Sequence, residues 1–158
     1  MYKLNLPEYN FKIRKSNQKL EIFDRFRKKY VALTPEEWVR QNFIKYLISE
    51  KYFPESLIIV EKSLTLNQMQ KRADIVVYTN KGTPKLIVEC KAPEVKITQK
   101  TFDQIARYNM TLQVDYLIVT NGIIHYCCRI DFINKTYSFL KKIPEYNEIM
   151  RNTFPSYD

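Results

Sequence analysis

RADIVVYTNKGTPKLIVECK, residues 72–91, is the stretch of the chain that decides the fold. It contains two apolar runs rich in β-branched residues, separated by a cluster of turn-forming residues, and it therefore predicts a β-hairpin. A turn centred between Lys81 and Gly82 leaves Asp74 and Glu89 equally far from the tip. Their Cβ atoms should then face each other across the ladder at about 5 Å.

Asp74, Glu89 and Lys91 should converge on one face of this hairpin. Side chains alternate along a strand, so Glu89 and Lys91 point one way while Cys90 points the other. Two carboxylates this close repel each other unless a cation or a proton lies between them, and hard oxygen ligands suit Mg²⁺ or Mn²⁺. A lysine beside them can orient water and offset the charge that develops on a phosphate. The pattern indicates metal-dependent hydrolysis of nucleic acid.

The same three residues could instead form an ion-pair ladder on a solvated face of the sheet. The flanking residues argue against that alternative, because residues 75–77 and 86–88 are too apolar for strands with one face in water. Charges embedded in such strands cost free energy unless they serve a purpose. We therefore favour the functional interpretation.

Length and composition indicate one ordinary globular domain. The 158 residues, 45% of them hydrophobic, are enough for a single core. Three cysteines without a paired spacing predict neither a disulfide framework nor a zinc site, and they suit a reducing cytoplasm. The sequence has no signal-like N-terminal segment and no apolar run of membrane-spanning length. We expect a soluble, cytoplasmic protein without a membrane partner.

Positive charge is concentrated near the N terminus. The formal net charge is +9, and residues 12–29 contribute eight basic residues against two acidic ones, which is +6 of that total. Apolar residues are interleaved with them, which predicts a hairpin turning at residues 16–18 with a basic outer face. Clustered cations with aromatic residues suit a phosphate backbone, although a basic face is often merely solvated. The predicted DNA contacts are Arg25, Arg27, Lys28 and Lys29.

The rest of the chain predicts an α/β fold. The predicted elements are helix 35–51, strands 56–62, 72–79 and 85–91, helix 99–112, strands 115–120, 123–129 and 135–140, and a short helix after Pro144. The strand after the second helix should run parallel to strand 85–91 through a right-handed crossover. A type I′ turn at Asn121-Gly122 should send the next strand back antiparallel. We expect one domain with a mixed central sheet flanked by helices. Its parts are a basic hairpin extension (1–30), a core (31–142) and a C-terminal tail (143–158).

With these motifs the chain resembles the PD-(D/E)xK nuclease superfamily, whose core motif is an acidic residue, a hairpin and then Glu-x-Lys. It is most similar to the nuclease domain at the N terminus of type I restriction enzyme motor (R) subunits and to small free-standing relatives. The matching stretches are LTPEEWVRQ (33–41), KRAD (71–74), VECKAP (88–93), FDQIARYN (102–109) and TNG (120–122). Two departures are Ala73, where a proline precedes the aspartate in the family motif, and the lack of a helicase part within these 158 residues.

The resemblance implies a restriction-endonuclease-like core with Mg²⁺ or Mn²⁺ held by Asp74, Glu89 and the main-chain carbonyl of Cys90. Lys91 would serve the attacking water. The implied activity is that of a Mg²⁺-dependent deoxyribonuclease, expected to act as an endonuclease. A helicase or ATPase partner and a homodimer are further expectations. The competing interpretation is a DNA-binding module that has the nuclease fold without turnover.

Three more residues become candidates through the resemblance. Gln104 and Tyr108 match the Gln-x-x-x-Tyr motif of RecB-like nucleases, and their i, i+4 spacing puts both on one stripe of a helix. There Gln104 would meet a phosphate or base, and Tyr108 would brace Lys91 or the backbone; on spacing alone an ordinary amphipathic helix explains them equally well. Glu37 is the candidate for a further metal-binding carboxylate, but with Thr34 it also fits a helix capping box.

Overall fold

The computed structural model describes residues 1–66 and 68–151. This part of the chain contains two β-sheets and three α-helices, and the predicted α/β class is confirmed. The strands are β1 (Ile13–Ser16), β2 (Lys19–Asp24), β3 (Lys29–Ala32), β4 (Ile58–Leu66), β5 (Met69–Tyr78), β6 (Pro84–Cys90), β7 (Tyr116–Thr120), β8 (His125–Asp131) and β9 (Thr136–Phe139). The helices are α1 (Pro35–Ser49), α2 (Gln99–Leu112) and α3 (Tyr146–Arg151), with a 3-10 turn at Glu55–Leu57.

The central sheet has six strands in the order β4-β5-β6-β7-β8-β9. Neighbouring strands run antiparallel except β6 and β7, which pair in parallel. A parallel pair requires a crossover connection, because the chain must return to the same end of the sheet before the second strand begins. Helix α2 lies in that connection. The predicted mixed sheet with its strand-helix-strand crossover is therefore confirmed.

Hydrophobic clusters cover both faces of this sheet. Val88 of β6 belongs to the cluster that contains Phe43 of α1. Its neighbour Ile87 belongs to the cluster that contains Phe102 of α2. A continuous apolar run such as that of β6 is typical of a strand buried on both faces, and each fully buried aliphatic side chain contributes about 1.5–3 kcal/mol. We call these two groups of residues the α1-side and α2-side clusters.

The N-terminal sheet has three strands in the order β1-β2-β3, not the two of the predicted hairpin. The turn at residues 16–18 is confirmed, with Asn17 and Gln18 both left-handed at φ 50° and 64°. The prediction missed β3 because this strand is short and begins with a charged residue. Its register with β2 places Val31 opposite Ile22, which is fully buried. Pairing with a buried strand therefore stabilises a segment whose own pattern is weak.

β4 and β5 extend further than predicted. β6 pairs with β5 only over residues 75–78, whereas β4 and β5 continue to pair over residues 62–66 and 69–73. We call these two segments together the β4–β5 arm. The prediction stopped short because the arm is largely polar and lacks the apolar run that marks the buried part of each strand.

Glu61 marks the base of the β4–β5 arm. It lies between the pairs Val60–Ile75 and Lys62–Ala73 and has a left-handed backbone with φ 50°. The β4–β5 register does not shift across Glu61, so no residue is inserted there, and the left-handed backbone instead interrupts the alternation of side chains between the two faces. Val60 accordingly packs in the α1-side cluster, but Leu64, which has the same alternation, packs in the α2-side cluster.

The first residues of the chain lie against α1 and the turn between β7 and β8. The Asn5 N–H donates to the Gly122 carbonyl at 2.8 Å, and the Trp38 indole N–H donates to the Tyr2 carbonyl at 2.9 Å. Gly122 has φ 84°, but Asn121 is not left-handed, so the predicted type I′ turn is wrong; Asn121 Oδ1 instead accepts from the N–H groups two and three residues further on, at 2.9 and 2.8 Å. A Cβ on Gly122 would also lie only 2.7 Å from a methyl group of Leu4. Glycine thus permits both the turn and the close packing of the N-terminal segment.

The predicted C-terminal helix is present as α3. Its Ile149 is fully buried in the α1-side cluster. Residues 152–158 of the predicted tail lie outside the described residues. Within the described part of the chain, no helix combines the length and the apolar character needed to cross a membrane.

Candidate functional site

Asp74 and Glu89 lie side by side where the β5–β6 ladder ends. The ladder pairs Ile75 with Val88, and this register, carried one residue further, places Asp74 opposite Glu89. It is the register expected from a turn centred between residues 81 and 82. The Cys90 N–H donates to Asp74 Oδ2 at 2.7 Å, so the aspartate takes the place of a backbone acceptor at the end of the ladder.

Burial raises the pKa of Asp74 to about 6. The hydrogen bond from the Cys90 N–H lowers this pKa, whereas the negative charges of Glu89 and Glu61 raise it again. A divalent cation would favour the ionised carboxylate and so offset both the burial and the like charges. The donor chemistry around Asp74 therefore fits Mg²⁺ or Mn²⁺.

Glu89 has an internal counter-ion that the sequence did not reveal. Lys71 of β5 forms an ion pair with it, and both side chains are nearly buried, 12% and 14% exposed. The Lys71 ammonium lies over the ring of Tyr108, 5.1 Å from its centroid. The Glu89 Oε1 atom is buried and accepts no hydrogen bond of regular geometry from the described residues, so the Lys71 charge is its partner.

Lys91 follows β6 and is half-buried, with its N–H donating to the Thr120 carbonyl at 2.8 Å. Its positive charge acts on Glu36 of α1. The pKa of Glu36 is raised first by burial and then by Asp74, and it is lowered by Lys91. Glu36 therefore lies in the same neighbourhood as Asp74 and Lys91.

Glu37, the predicted additional carboxylate, is held by other residues. Its N–H donates to Thr34 Oγ1 at 3.1 Å, so the predicted helix cap is present. Its carboxylate does not return to the Thr34 amide, which bonds to the backbone of β3. One oxygen accepts from Arg27 and Gln41 at 2.8 and 2.9 Å, and the other pairs with Arg40. A metal-binding role for Glu37 stays a prediction. Its neighbour Glu36 is the residue whose pKa responds to the charges of Asp74 and Lys91, so Glu36 lies nearer to Asp74.

Arg40 continues this network toward the β4–β5 arm. It is buried and pairs with Glu61 at 3.0 Å, and Arg72 pairs with the other oxygen of Glu61 at 2.5 Å. Burial lowers the pKa of the Arg40 guanidinium. Neither Glu61 nor Lys71 could be assigned from spacing, because the change of faces at Glu61 interrupts the alternation along both strands.

The two predicted residues of α2 have different surroundings. The Tyr108 hydroxyl donates to the Gln70 carbonyl at 2.8 Å, so it contacts the backbone, and its ring covers Lys71 rather than Lys91. Gln104, one turn earlier, is exposed. Tyr108 thus ties α2 to β5, while Gln104 is available to a ligand.

The four cations predicted to contact DNA also differ in their surroundings. Arg27 is turned inward and forms ion pairs with two carboxylates. Arg25 is exposed but pairs with Glu55 at 2.9 Å. Lys28, in the turn before β3, and Lys29, at the start of that strand, are exposed. Of the four, the two lysines are the ones open to a phosphate.

The expected metal ligands would form an open coordination site and would not enclose the ion with side chains. Within residues 1–66 and 68–151, no three His, Cys, Asp or Glu side chains converge as a ready-made metal site. The expected set has two carboxylates, of Asp74 and Glu89, and the main-chain carbonyl of Cys90. The Cys90 side chain itself is buried in the α1-side cluster, and burial raises the pKa of its thiol. Only the backbone of Cys90 therefore suits a hard cation.

Comparisons with known proteins agree with the fold. The family model for the type I restriction enzyme R protein N terminus (HSDR_N) matches residues 35–144, more than two thirds of the chain. A fragment structure of a protein described as an HsdR subunit of a type I restriction enzyme from Vibrio vulnificus YJ016 has a similar fold, with a TM-score of 0.53 and 20% identity. That match covers 73% of this chain but 24% of the other, so this chain spans about a quarter of its length. None of the curated proteins matches significantly. The chain belongs to the family of type I restriction enzyme R protein N termini.

Proposed function

We propose that the chain is a metal-dependent deoxyribonuclease. The observation that supports this most directly is the register that brings Asp74 opposite Glu89 at the end of the β5–β6 ladder, two residues before Lys91 in the chain. Asp74, Glu89 and the Cys90 carbonyl would hold Mg²⁺ or Mn²⁺. When bound, such an ion polarises a phosphate and makes its bound water more acidic.

The residues around these ligands have separate roles in the proposal. Lys91 orients the attacking water and offsets the negative charge that develops on the phosphate oxygens. Lys71 keeps Glu89 in place, and Tyr108 holds β5 against α2. Gln104 offers an exposed amide to a phosphate or a base. Hydrolysis of a phosphodiester bond is the reaction that this combination supports.

Cleavage assays with site variants test the proposal. The purified protein is incubated with plasmid and with single-stranded DNA in Mg²⁺, Mn²⁺ or EDTA, beside Asp74→Asn, Glu89→Gln and Lys91→Met. We expect metal-dependent cleavage by the wild type and a loss of about 100-fold or more in each variant, the usual effect of removing a group that stabilises the transition state. Lys96→Met, which changes an exposed lysine five residues further on, is the matched control and should cleave normally. Equal rates for the wild type and the site variants would contradict the proposal.

One observation favours a second candidate, a DNA-binding module without turnover. The Lys71–Glu89 ion pair places a cation of the protein itself on a carboxylate that would otherwise bind metal. If this pair persists in the presence of metal, Glu89 does not act as a ligand. DNA retention in EDTA, with no cleavage under any metal condition, would support this alternative.

Two kinds of partner belong to the proposal. A helicase or ATPase would supply the motor function that a type I restriction enzyme R protein is expected to require, and a second copy of the chain would allow both DNA strands to be cut. Copurification of tagged protein with a large ATPase tests the first. Light scattering of the purified chain, alone and with DNA, tests the second.

A further inference from the structure

The β4–β5 arm projects beyond the central sheet. Five cross-strand pairs, from Lys62–Ala73 to Leu66–Met69, continue past the last pair that β5 makes with β6. At about 3.3 Å per residue, these pairs span about 16 Å. The bond from the Tyr108 hydroxyl to the Gln70 carbonyl ties the arm to α2. The arm is therefore a braced two-stranded ribbon.

The two faces of the arm differ in burial. Leu64 and Ala73 on one face are buried in the α2-side cluster. Residues on the other face form the pairs Ser63–Arg72 and Thr65–Gln70, and directly paired residues share a face. All four are exposed and have hydrogen-bonding side chains: Ser63, Thr65, Gln70 and Arg72. We call this the outer face of the arm.

The charge of the arm is opposite to that of the site at its base. Residues 62–73 include Lys62, Lys71 and Arg72 and no Asp or Glu, a net charge of +3. Carboxylates instead collect at the base, where Glu61 and Asp74 lie. Arg72 joins the two regions, since it pairs with Glu61 while 70% of its side chain is exposed. Lys71 is nearly buried and paired with Glu89, so the positive charge that the arm exposes is that of Lys62 and Arg72, which is complementary to a polyanion.

We infer that the outer face of the β4–β5 arm enters the major groove of a DNA duplex. The major groove is about 12 Å wide and admits a two-stranded β-ribbon, and hydrogen-bonding side chains can contact the base edges there. The strands change face at Glu61, and the base of the arm meets the carboxylates at the site. The inference rests on the proposed function and deepens it, because it assigns a surface of the chain that contacts the substrate.

Gln70→Glu tests the inference with a nearly isosteric change. It replaces an amide donor on the outer face by a negative charge and leaves the backbone carbonyl bonded to Tyr108. The matched control is Asn80→Asp, the same chemical change in the exposed turn at the other end of β5. The double variant Thr65→Ala/Gln70→Ala removes polar contacts without adding charge.

Affinity for a labelled duplex and a labelled single strand is measured by fluorescence anisotropy in EDTA, and plasmid cleavage is measured separately in Mg²⁺. We expect the duplex Kd to rise about tenfold in both arm variants, the effect of losing one or two base contacts. Asn80→Asp should stay close to the wild type. Thermal unfolding checks that all variants are folded.

The outcomes separate this inference from the nuclease proposal. If the arm variants bind duplex more weakly and no protein cleaves DNA, the inferred groove contact of the arm is supported and the nuclease proposal is contradicted. If the arm variants bind and cleave DNA as the wild type does, only the inferred groove contact of the arm is overturned. The groove contact is also overturned if the alanine variant loses single-strand binding to the same extent, or if the wild type binds no duplex at all.

Discussion

Asp74 shows how its surroundings alter a single residue. Its native pKa of about 6 lies above its ordinary value of 3.8, first because the side chain is buried. Between those two values the folded protein binds more protons than the unfolded chain. The resulting stabilisation is fully present below the ordinary pKa and is lost as the pH rises through 6. At neutral pH, ionised Asp74 therefore destabilises the metal-free protein.

Asp74→Asn should consequently raise the free energy of unfolding at neutral pH, by about 1–2 kcal/mol, since one pKa unit corresponds to about 1.4 kcal/mol. Asparagine keeps an oxygen that can accept from the Cys90 N–H but carries no charge. The difference in the free energy of unfolding between Asp74→Asn and the wild type should disappear below about pH 4. Thermal unfolding across a pH series measures this difference.

Mg²⁺ provides the matched control for this variant. A bound ion stabilises only the state that binds it, so Mg²⁺ should raise the Tm of the wild type and leave that of Asp74→Asn unchanged. Equal Mg²⁺ effects on the two proteins would show that Asp74 is not a ligand. A less stable variant at neutral pH would contradict the burial argument.

At the scale of elements, a histidine of β8 connects the N-terminal segment to the central sheet. Thr120 Oγ1 accepts from the Gly122 N–H at 2.9 Å, so its own proton is free to bond His125 Nδ1, 2.6 Å away. The other ring nitrogen then donates to the Asn5 carbonyl at 3.0 Å. These bonds suit the neutral ring. Burial lowers the pKa of His125, while the bond to Asn5 raises it.

The N-terminal segment should therefore loosen in acid. Because the native pKa of His125 lies below its ordinary value of 6.5, its contribution to stability is present above that value and is lost as the pH falls below it. Trp38 is the single tryptophan and bonds to Tyr2, so its fluorescence reports on the segment. We expect the emission to change between about pH 7 and 5 in the wild type but not in His125→Gln, which cannot titrate. Identical pH profiles would contradict this role of His125.

Across the whole molecule, charge is divided between two regions. The N-terminal sheet carries most of the +9 net charge, and Lys28 and Lys29 are exposed on it. The site contains several carboxylates at the base of the β4–β5 arm. A long anion such as DNA would thus be attracted by the basic surfaces and would need a cation at the site itself.

Salt dependence of DNA binding tests the contribution of the N-terminal sheet. Lys28→Gln/Lys29→Gln should lower the slope of log Kobs against log salt by about 2, since each phosphate contact contributes about 0.9. The control is Lys141→Gln/Lys142→Gln, an exposed lysine pair of equal charge elsewhere in the chain. Equal reductions in the two double variants would indicate non-specific charge attraction and not a contact made by this sheet.

The sequence by itself determined the β5–β6 hairpin, the mixed sheet with its crossover helix, and the position of Asp74 opposite Glu89. These features depend on local rules. Apolar alternation specifies a strand, turn formers specify where it reverses, and the centre of a turn specifies which residues face each other. The starts of α1 and α2 could also be predicted from the sequence, because helix caps and helical spacing involve only one or two turns of neighbouring residues.

Tertiary structure alone decided the partners of these residues. The third N-terminal strand and the β4–β5 arm are held by pairing with neighbours, not by patterns of their own. Lys71 reaches Glu89 because the strands change face at Glu61. Glu37 is held by Arg27 of the β2–β3 turn and by Arg40 of its own helix. Such contacts depend on how elements pack at long range and on one irregular backbone position, and neither is expressed in residue spacing.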